Sequence, residues 1–151
     1  MVIYIGADHK GFKLKEFIRD FLKGKGYEVA DLGNLRYDEN DDYVDFAKEV
    51  AQKVGLSGDD SRGILICGSG AGMDIAANKF RKVRSTLAVS ADQVYDARHD
   101  DNINVLSIAA GFTSESDAQK IVNTFIETPF DGEERHQRRL DKITQIEQQW
   151  S

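Results

Sequence analysis

Between Gly63 and Asn78 the chain reads Gly-Ile-Leu-Ile-Cys-Gly-Ser-Gly-Ala-Gly-Met-Asp-Ile-Ala-Ala-Asn, and this stretch constrains the fold more than any other. Ile64, Leu65 and Ile66 predict a buried strand, the glycines at 68, 70 and 72 a tight turn, and helical spacing resumes near Met73. The glycines allow backbone N–H groups to approach a ligand closely, and the helix that follows adds its positive end, so the turn is an anion cradle. The same geometry makes a reactive cysteine of Cys67. Its bland alternative is an inert strand-end thiol beside a loop kept glycine-rich for strand-to-helix packing. The turn lacks the Gly-Lys-Ser/Thr ending of a nucleotide-binding loop, the spacing of a dinucleotide fingerprint and the arginine of a cysteine phosphatase.

The rest of the chain repeats this strand-to-helix rhythm. Val2–Ile5 predicts a strand ending in Gly6-Ala7-Asp8-His9, and Leu14, Phe17, Ile18, Phe21 and Leu22 predict a helix stopped by Gly24 and Gly26. Tyr27–Leu32 is the second strand, followed by a polar, acidic loop to Asp42. A helix from Tyr43 carries Val44, Ala47, Val50, Ala51 and Val54 and closes at Gly55. After the cradle come a strand at Arg84–Val89, a short helix at Ala91–Arg98 and a strand at Asn104–Ala109. A helix capped by Thr113 and Ser114 then ends before Pro129, the only proline. Five strands alternating with helices predict an α/β fold with a parallel sheet covered on both faces. In such sheets the ligand site lies beyond the carboxyl ends of the strands, so Asp8, His9 and Cys67 are expected to converge at one rim.

A final helix, residues 133–150, places Leu140, Ile143, Ile146 and Trp150 on one narrow stripe after the sheet is complete, which predicts packing on a partner subunit. Its first turns carry Arg135, His136, Arg138 and Arg139. Arg135 and Arg139 share a face, so both guanidinium groups can reach one phosphate, the alternative being a solvated basic face.

Composition narrows the function classes. The 151 residues, 40% of them hydrophobic, fit one domain. With 26 acidic against 20 basic side chains and a net charge of −6, no overall field recruits nucleic acid or an anionic membrane, and any anion must be captured locally. One cysteine rules out an internal disulfide and a cysteine-cluster metal site. With no membrane-length apolar run and no signal-peptide pattern, a cytoplasmic protein is expected.

Four blocks, Gly6-Ala7-Asp8-His9-x-Gly11, the cradle through Lys79, Asn104-Val105-Leu106 and Arg135-His136-x-x-Arg139, together resemble the ribose-5-phosphate isomerase B family, which includes galactose- and allose-phosphate isomerases. The resemblance spans nearly the whole chain. It implies a Rossmann- or flavodoxin-like, doubly wound five-stranded parallel sheet with an extra C-terminal helix. It further implies a homodimer or dimer of dimers whose active sites draw on two subunits, and cofactor-free, metal-free aldose–ketose isomerisation of a phosphorylated sugar.

By resemblance, Cys67 is the proton-transfer base and Met73 stands where one branch has a glutamate, with Asp74 a distant substitute. Ser69 assists ring opening, and the backbone N–H groups of Gly68, Gly70, Ala71 and Gly72 hold the enediolate oxygen. Asp8 binds a sugar hydroxyl, His9, Arg135 and Arg139 lie on the phosphate side, and Tyr43 sits near the pocket. The departure is at Arg98-His99-Asp100-Asp101-Asn102-Ile103-Asn104. The family reads Arg-x-His-Asn-Asp-x-Asn, so a gap-free alignment puts Asp100 under the ring-opening histidine and Asp101 under the asparagine, with His99 one residue early. The expected substrate is ribose 5-phosphate, the alternatives a hexose 6-phosphate isomerase or a non-catalytic phosphosugar-binding protein. His99 is favoured for ring opening, because imidazole both takes and returns a proton near neutral pH, with Asp100 and Asp101 on sugar hydroxyls.

Overall fold

The computed structural model describes residues 1–150. Its strands are β1 (Val2–Ala7), β2 (Glu28–Asp31), β3 (Ser61–Cys67), β4 (Ser85–Leu87) and β5 (Val105–Ala109). Its helices are α1 (Phe12–Gly24), α2 (Tyr43–Ser57), α3 (Ala71–Ala77), α4 (Ala91–Asp101), α5 (Glu115–Glu127) and α6 (Glu134–Gln149), with a 3-10 turn at Gly58–Asp60. All strand pairs are parallel and the order is β2-β1-β3-β5-β4.

The two-residue period of the strands divides the core. Ile3, Ile5, Ile64, Ile66, Leu106 and Ile108 face α1, α4 and α5, while Leu65, Cys67 and Val105 face α2 and α3. From β1 the chain leaves toward β2, and from β3 it leaves the other way toward β4. Between these two central strands lies the switch point, where a crevice opens at the carboxyl ends.

The boundaries differ from the sequence-based expectations in ways that have local causes. Helix α2 runs past Gly55, and the left-handed residue that ends it is Gly58, at φ 63°. Gly55 lies inside the helix and serves close packing, since a Cβ there would stand 2.8 Å from the carbonyl oxygen of Arg81. Helix α3 begins at Ala71, two residues before Met73, because Gly70 at φ 74° already makes the turn. Strand β4 is only three residues long, being an edge strand paired on one side.

Helix α4 extends beyond Arg98 to Asp101 and is closed by Asn102 in the left-handed conformation. The buried Arg98 guanidinium reinforces that end by donating to Asn102 Oδ1, to the carbonyl of Ile103 and to the carbonyl of Thr128. Burial holds its pKa down to about 10, so it remains a cation at neutral pH.

Candidate active site

The ends of β1 and β3 frame a cleft of about 580 Å³ lined by Asp8, His9, Cys67, Gly68, Ser69, Gly72 and Tyr43, together with Lys10, Asp41, Gly111 and Phe112. The register that pairs Ala7 with Ile66 sets Asp8 beside Cys67, and the Asp8 amide donates to the carbonyl of Ile66. Asp8, His9 and Cys67 therefore share one rim, as expected. Cys67 is 4% exposed at the floor. Behind it, the amides of Gly68, Ser69, Gly70 and Gly72 have no acceptor among the described residues, leaving them for a ligand oxygen. The amide of Ala71 is turned back to Ser69 Oγ at 3.4 Å. Gly72 has no room for a Cβ, which would lie 2.6 Å from the Tyr43 ring, so the start of α2 packs directly on the start of α3 and forms one wall.

Asp8 has a structural duty as well as a place in the cleft. Its Oδ1 accepts from the amides of Lys10 and Gly11, both at 3.0 Å, closing the turn into α1. His9 is held by a residue that sequence reasoning left in an undifferentiated acidic loop. Asp41 Oδ1 lies 2.7 Å from His9 Nδ1 and also accepts from the His9 amide at 3.0 Å. Its Oδ2 accepts from Asn34 Nδ2. Partial burial pushes the Asp41 carboxyl upward, but the two bonds from His9 and the one from Asn34 outweigh it and hold the group below the usual carboxylate value. A carboxylate accepting at Nδ1 fixes that nitrogen as the donor and so sets the orientation of the ring. Lys10, Gly111 and Phe112 were also missed. Only the run of polar residues before Tyr43 hinted at Asp41, and nothing in the sequence marked the other three.

The remaining expected site residues gather elsewhere. Helix α4 starts just beyond the carboxyl end of β4 and runs back antiparallel to the strands, so its last turn lies at the amino-end rim of the sheet. Eleven residues at about 1.5 Å each put that turn roughly 15 Å from where the helix began. There His99 Nδ1 lies 2.7 Å from Asp100 Oδ1 and 3.6 Å from Asp131 Oδ2, and its ring stacks on Tyr95. Asp131 also accepts from the buried His136, at 2.8 Å, and its amide donates to the carbonyl of His99, which fastens the start of α6 to the end of α4. The hydrogen bond to Asp100 raises the pKa of His99, against a smaller effect of burial and with help from Asp131 and Glu133. Burial works to raise Asp131, but His136, the Glu133 amide and the nearby His99 bring it below the usual carboxylate value. Arg135, Arg138 and Arg139 are exposed on the first turns of α6, with Arg135 paired to Glu133 at 2.9 Å. None of His99, Asp100, Asp101, Arg135 and Arg139 lines the cleft of their own chain.

The family model described as Ribose/Galactose Isomerase matches residues 3–143. This chain belongs to that family. The chain is 40% identical to the ribose-5-phosphate isomerase B of Mycobacterium tuberculosis, over 97% of this chain and 90% of that one. Among solved structures, the ribose-5-phosphate isomerase B of Mycoplasma genitalium with bound ribulose 5-phosphate superposes with a TM-score of 0.94 at 46% identity, covering 97% of this chain and 96% of that one. The Clostridium thermocellum ribose-5-phosphate isomerase B superposes with a TM-score of 0.95 at 40% identity, both chains covered completely.

Two local features of this ribose/galactose isomerase chain bear on the base. Met73 is fully buried between α2 and α3 and offers the cleft no functional group. Asp74, the substitute considered for it, does not line the cleft, and its Oδ1 accepts from Ser85 Oγ at 2.6 Å. No helix is long and apolar enough to cross a membrane among the described residues.

Proposed function

We propose that the protein interconverts ribose 5-phosphate and ribulose 5-phosphate in the cytoplasm through an enediolate, without a cofactor, and that a second copy of the chain completes each active site. The observation that carries this is the convergence of Cys67, four backbone amides without an acceptor, Asp8 and the His9–Asp41 pair in one cleft at the switch point of the sheet.

In the open-chain aldose, Cys67 as thiolate takes the proton from C2, the proton of the C2 hydroxyl passes to O1 across the enediolate, and the Cys67 thiol returns a proton at C1, leaving the carbonyl at C2. The charge that develops on the sugar oxygen meets the amides of Gly68, Ser69, Gly70 and Gly72, which are already oriented and need no reorganisation when the charge appears. Asp8 holds a sugar hydroxyl, Ser69 assists ring opening, and Tyr43 closes the wall above them.

Ring opening requires a group that accepts the anomeric proton and donates one to the ring oxygen. His99 has that capacity: with Nδ1 directed to Asp100, Nε2 faces outward, and its raised pKa keeps more of it in the donating form near neutrality. Asp100 thereby serves His99 as its orienting partner, and Asp101 is left to a sugar hydroxyl. Arg135 and Arg139 bind the phosphate. Since these groups stand at the amino-end rim, they reach a Cys67 cleft only on another copy of the chain. Leu140, expected on the partner-facing stripe, is instead buried on its own chain, while the rest of the stripe supports that arrangement, with Ile143 at 47%, Ile146 at 59% and Trp150 at 86% exposure.

The test is incubation with ribose 5-phosphate in deuterated water. Ketose formation with deuterium at C1 is expected. Turnover of allose 6-phosphate in place of ribose 5-phosphate would instead make the enzyme a hexose-phosphate isomerase, and binding with neither exchange nor turnover would make it a phosphosugar-binding protein.

A further inference from the structure

Of the residues lining the Cys67 cleft, two bear carboxylates, Asp8 and Asp41, and one bears an ammonium, Lys10. A dianionic phosphosugar entering such a cleft meets two like charges, and only part of that repulsion is relieved locally. Asp41 is matched by His9, while Asp8 spends one oxygen on the amides of Lys10 and Gly11. The basic cluster of α6 does not line the cleft of its own chain.

Lys10 is placed by its backbone. Its amide is tied to Asp8 Oδ1, and the turn is closed by Gly11 donating to the carbonyl of Asp8 at 3.1 Å. From this fixed point the stem lies across the first glycine of the cradle. A Cβ on Gly68 would meet Lys10 Cδ at 2.8 Å, Cβ at 3.6 Å and Cγ at 3.8 Å, so the aliphatic chain runs over Gly68 at the edge of the cleft that Lys10 helps to line. Lys15 and Lys25 each hold a carboxylate within 3 Å, whereas Lys10 has no anionic partner among the described residues. Lys10 is exposed at the edge of the cleft, with its stem over Gly68 and no carboxylate holding its head, so its ammonium is available to an anion that enters.

We propose that Lys10 is a further substrate-binding residue, holding the phosphate of the sugar from the same chain that carries Cys67. This rests on the isomerase reading above and names a group that reading did not use. The arginines of the second copy and Lys10 then both hold the phosphate.

The experiment compares the parent, Lys10→Met and Lys10→Arg. Methionine keeps an unbranched stem over Gly68 and removes the charge. Lys10→Met is expected to raise KM for ribose 5-phosphate about tenfold and to weaken competitive inhibition by inorganic phosphate by a similar factor, with kcat within about twofold and Lys10→Arg close to the parent. A fall in kcat at unchanged KM would overturn the assignment by placing the ammonium at the reacting carbons. Changes below about twofold in both constants would overturn it by leaving Lys10 only a packing role. Calorimetric titration of inorganic phosphate into the parent and Lys10→Met needs no turnover, so it decides the role of Lys10 even if the parent proves inactive on ribose 5-phosphate, a result that would defeat the isomerase reading alone.

Discussion

At Cys67 the chemistry depends on one atom. Replacing it by alanine removes the proposed base and leaves the free amides, the His9–Asp41 pair and the basic cluster in place. Cys67→Ala is therefore expected to lose about 10²–10⁴-fold in kcat while binding ribose 5-phosphate within about threefold of the parent. Cys67→Ser should behave almost alike, since a hydroxyl is a far weaker acid. Residual turnover within tenfold in single-turnover assays would put the base elsewhere, and the bond from Ser85 to Asp74 shows why that residue is a poor candidate. Asp41 acts one step back, through His9. Asp41→Asn keeps the shape but frees His9 to take the other tautomer, and loss of a charge-assisted bond worth about 1.5–3 kcal/mol should lower kcat/KM on the order of tenfold or more. Asp41→Asn combined with His9→Ala should then cost little more than His9→Ala alone. Additive losses would mean that Asp41 contacts the sugar itself. The pairing bridges 32 positions of sequence, which is why the carboxylate looked like any other in a polar loop.

At the scale of elements, the end of α4 decides how the departure from the family pattern is to be understood. Because the helix continues to Asp101, His99 and Asp100 are consecutive helical residues whose side chains hydrogen-bond, and the choice between them becomes a division of labour. His99→Ala is expected to lose turnover of cyclic ribose 5-phosphate far more than turnover of the open-chain ketose. Asp100→Asn should lose less, and should shift the acidic pKa of the aldose-direction pH profile downward as His99 loses its main support. If Asp100→Asn abolishes the aldose direction and His99→Ala does not, the carboxyl is the ring opener. The same pair has a stability signature. The folded-state pKa of His99 is raised, so its contribution is fully present below the ordinary value of 6.5 and is lost as pH rises through the raised value. Melting of the parent and His99→Gln should therefore differ more at about pH 5.5 than at about pH 8.5, where the gap closes. An equal gap at both would remove the ion pair from the account.

For the whole molecule, the Cys67 cleft and the cluster of His99 with the α6 arginines lie at opposite rims of one sheet, so the proposed mechanism requires assembly. Light scattering is expected to report at least a dimer at micromolar concentration. A monomer of 16.9 kDa would leave the basic cluster with no cleft to serve. A stricter test mixes two inactive variants, Cys67→Ala and the double substitution Arg135→Ala with Arg139→Ala, after unfolding and refolding them together. Hybrid dimers carry one site with both halves intact, so activity approaching a quarter of the parent's should return. Each variant refolded alone should stay inactive, and no recovery in the mixture would mean that each chain works alone.

Much of this architecture was determined by sequence alone. Alternating apolar runs and helical stripes specified five parallel strands and their covering helices, because a strand buried on both faces and a helix buried on one leave different periods in the chain. Gly68, Gly70 and Gly72 after an apolar run specified the cradle, because few other residues let backbone amides come so close to a ligand. Tertiary structure decided what no period encodes. The return path of α4 carried His99 and Asp100 to the rim opposite Cys67, the folding of the loop after β2 brought Asp41 onto His9, and the turn at Asp8 laid Lys10 across Gly68. Each is a contact between segments distant along the chain or turned by a local backbone bend, and such contacts are set by where elements end and which way they run, which depends on the packing of the whole sheet.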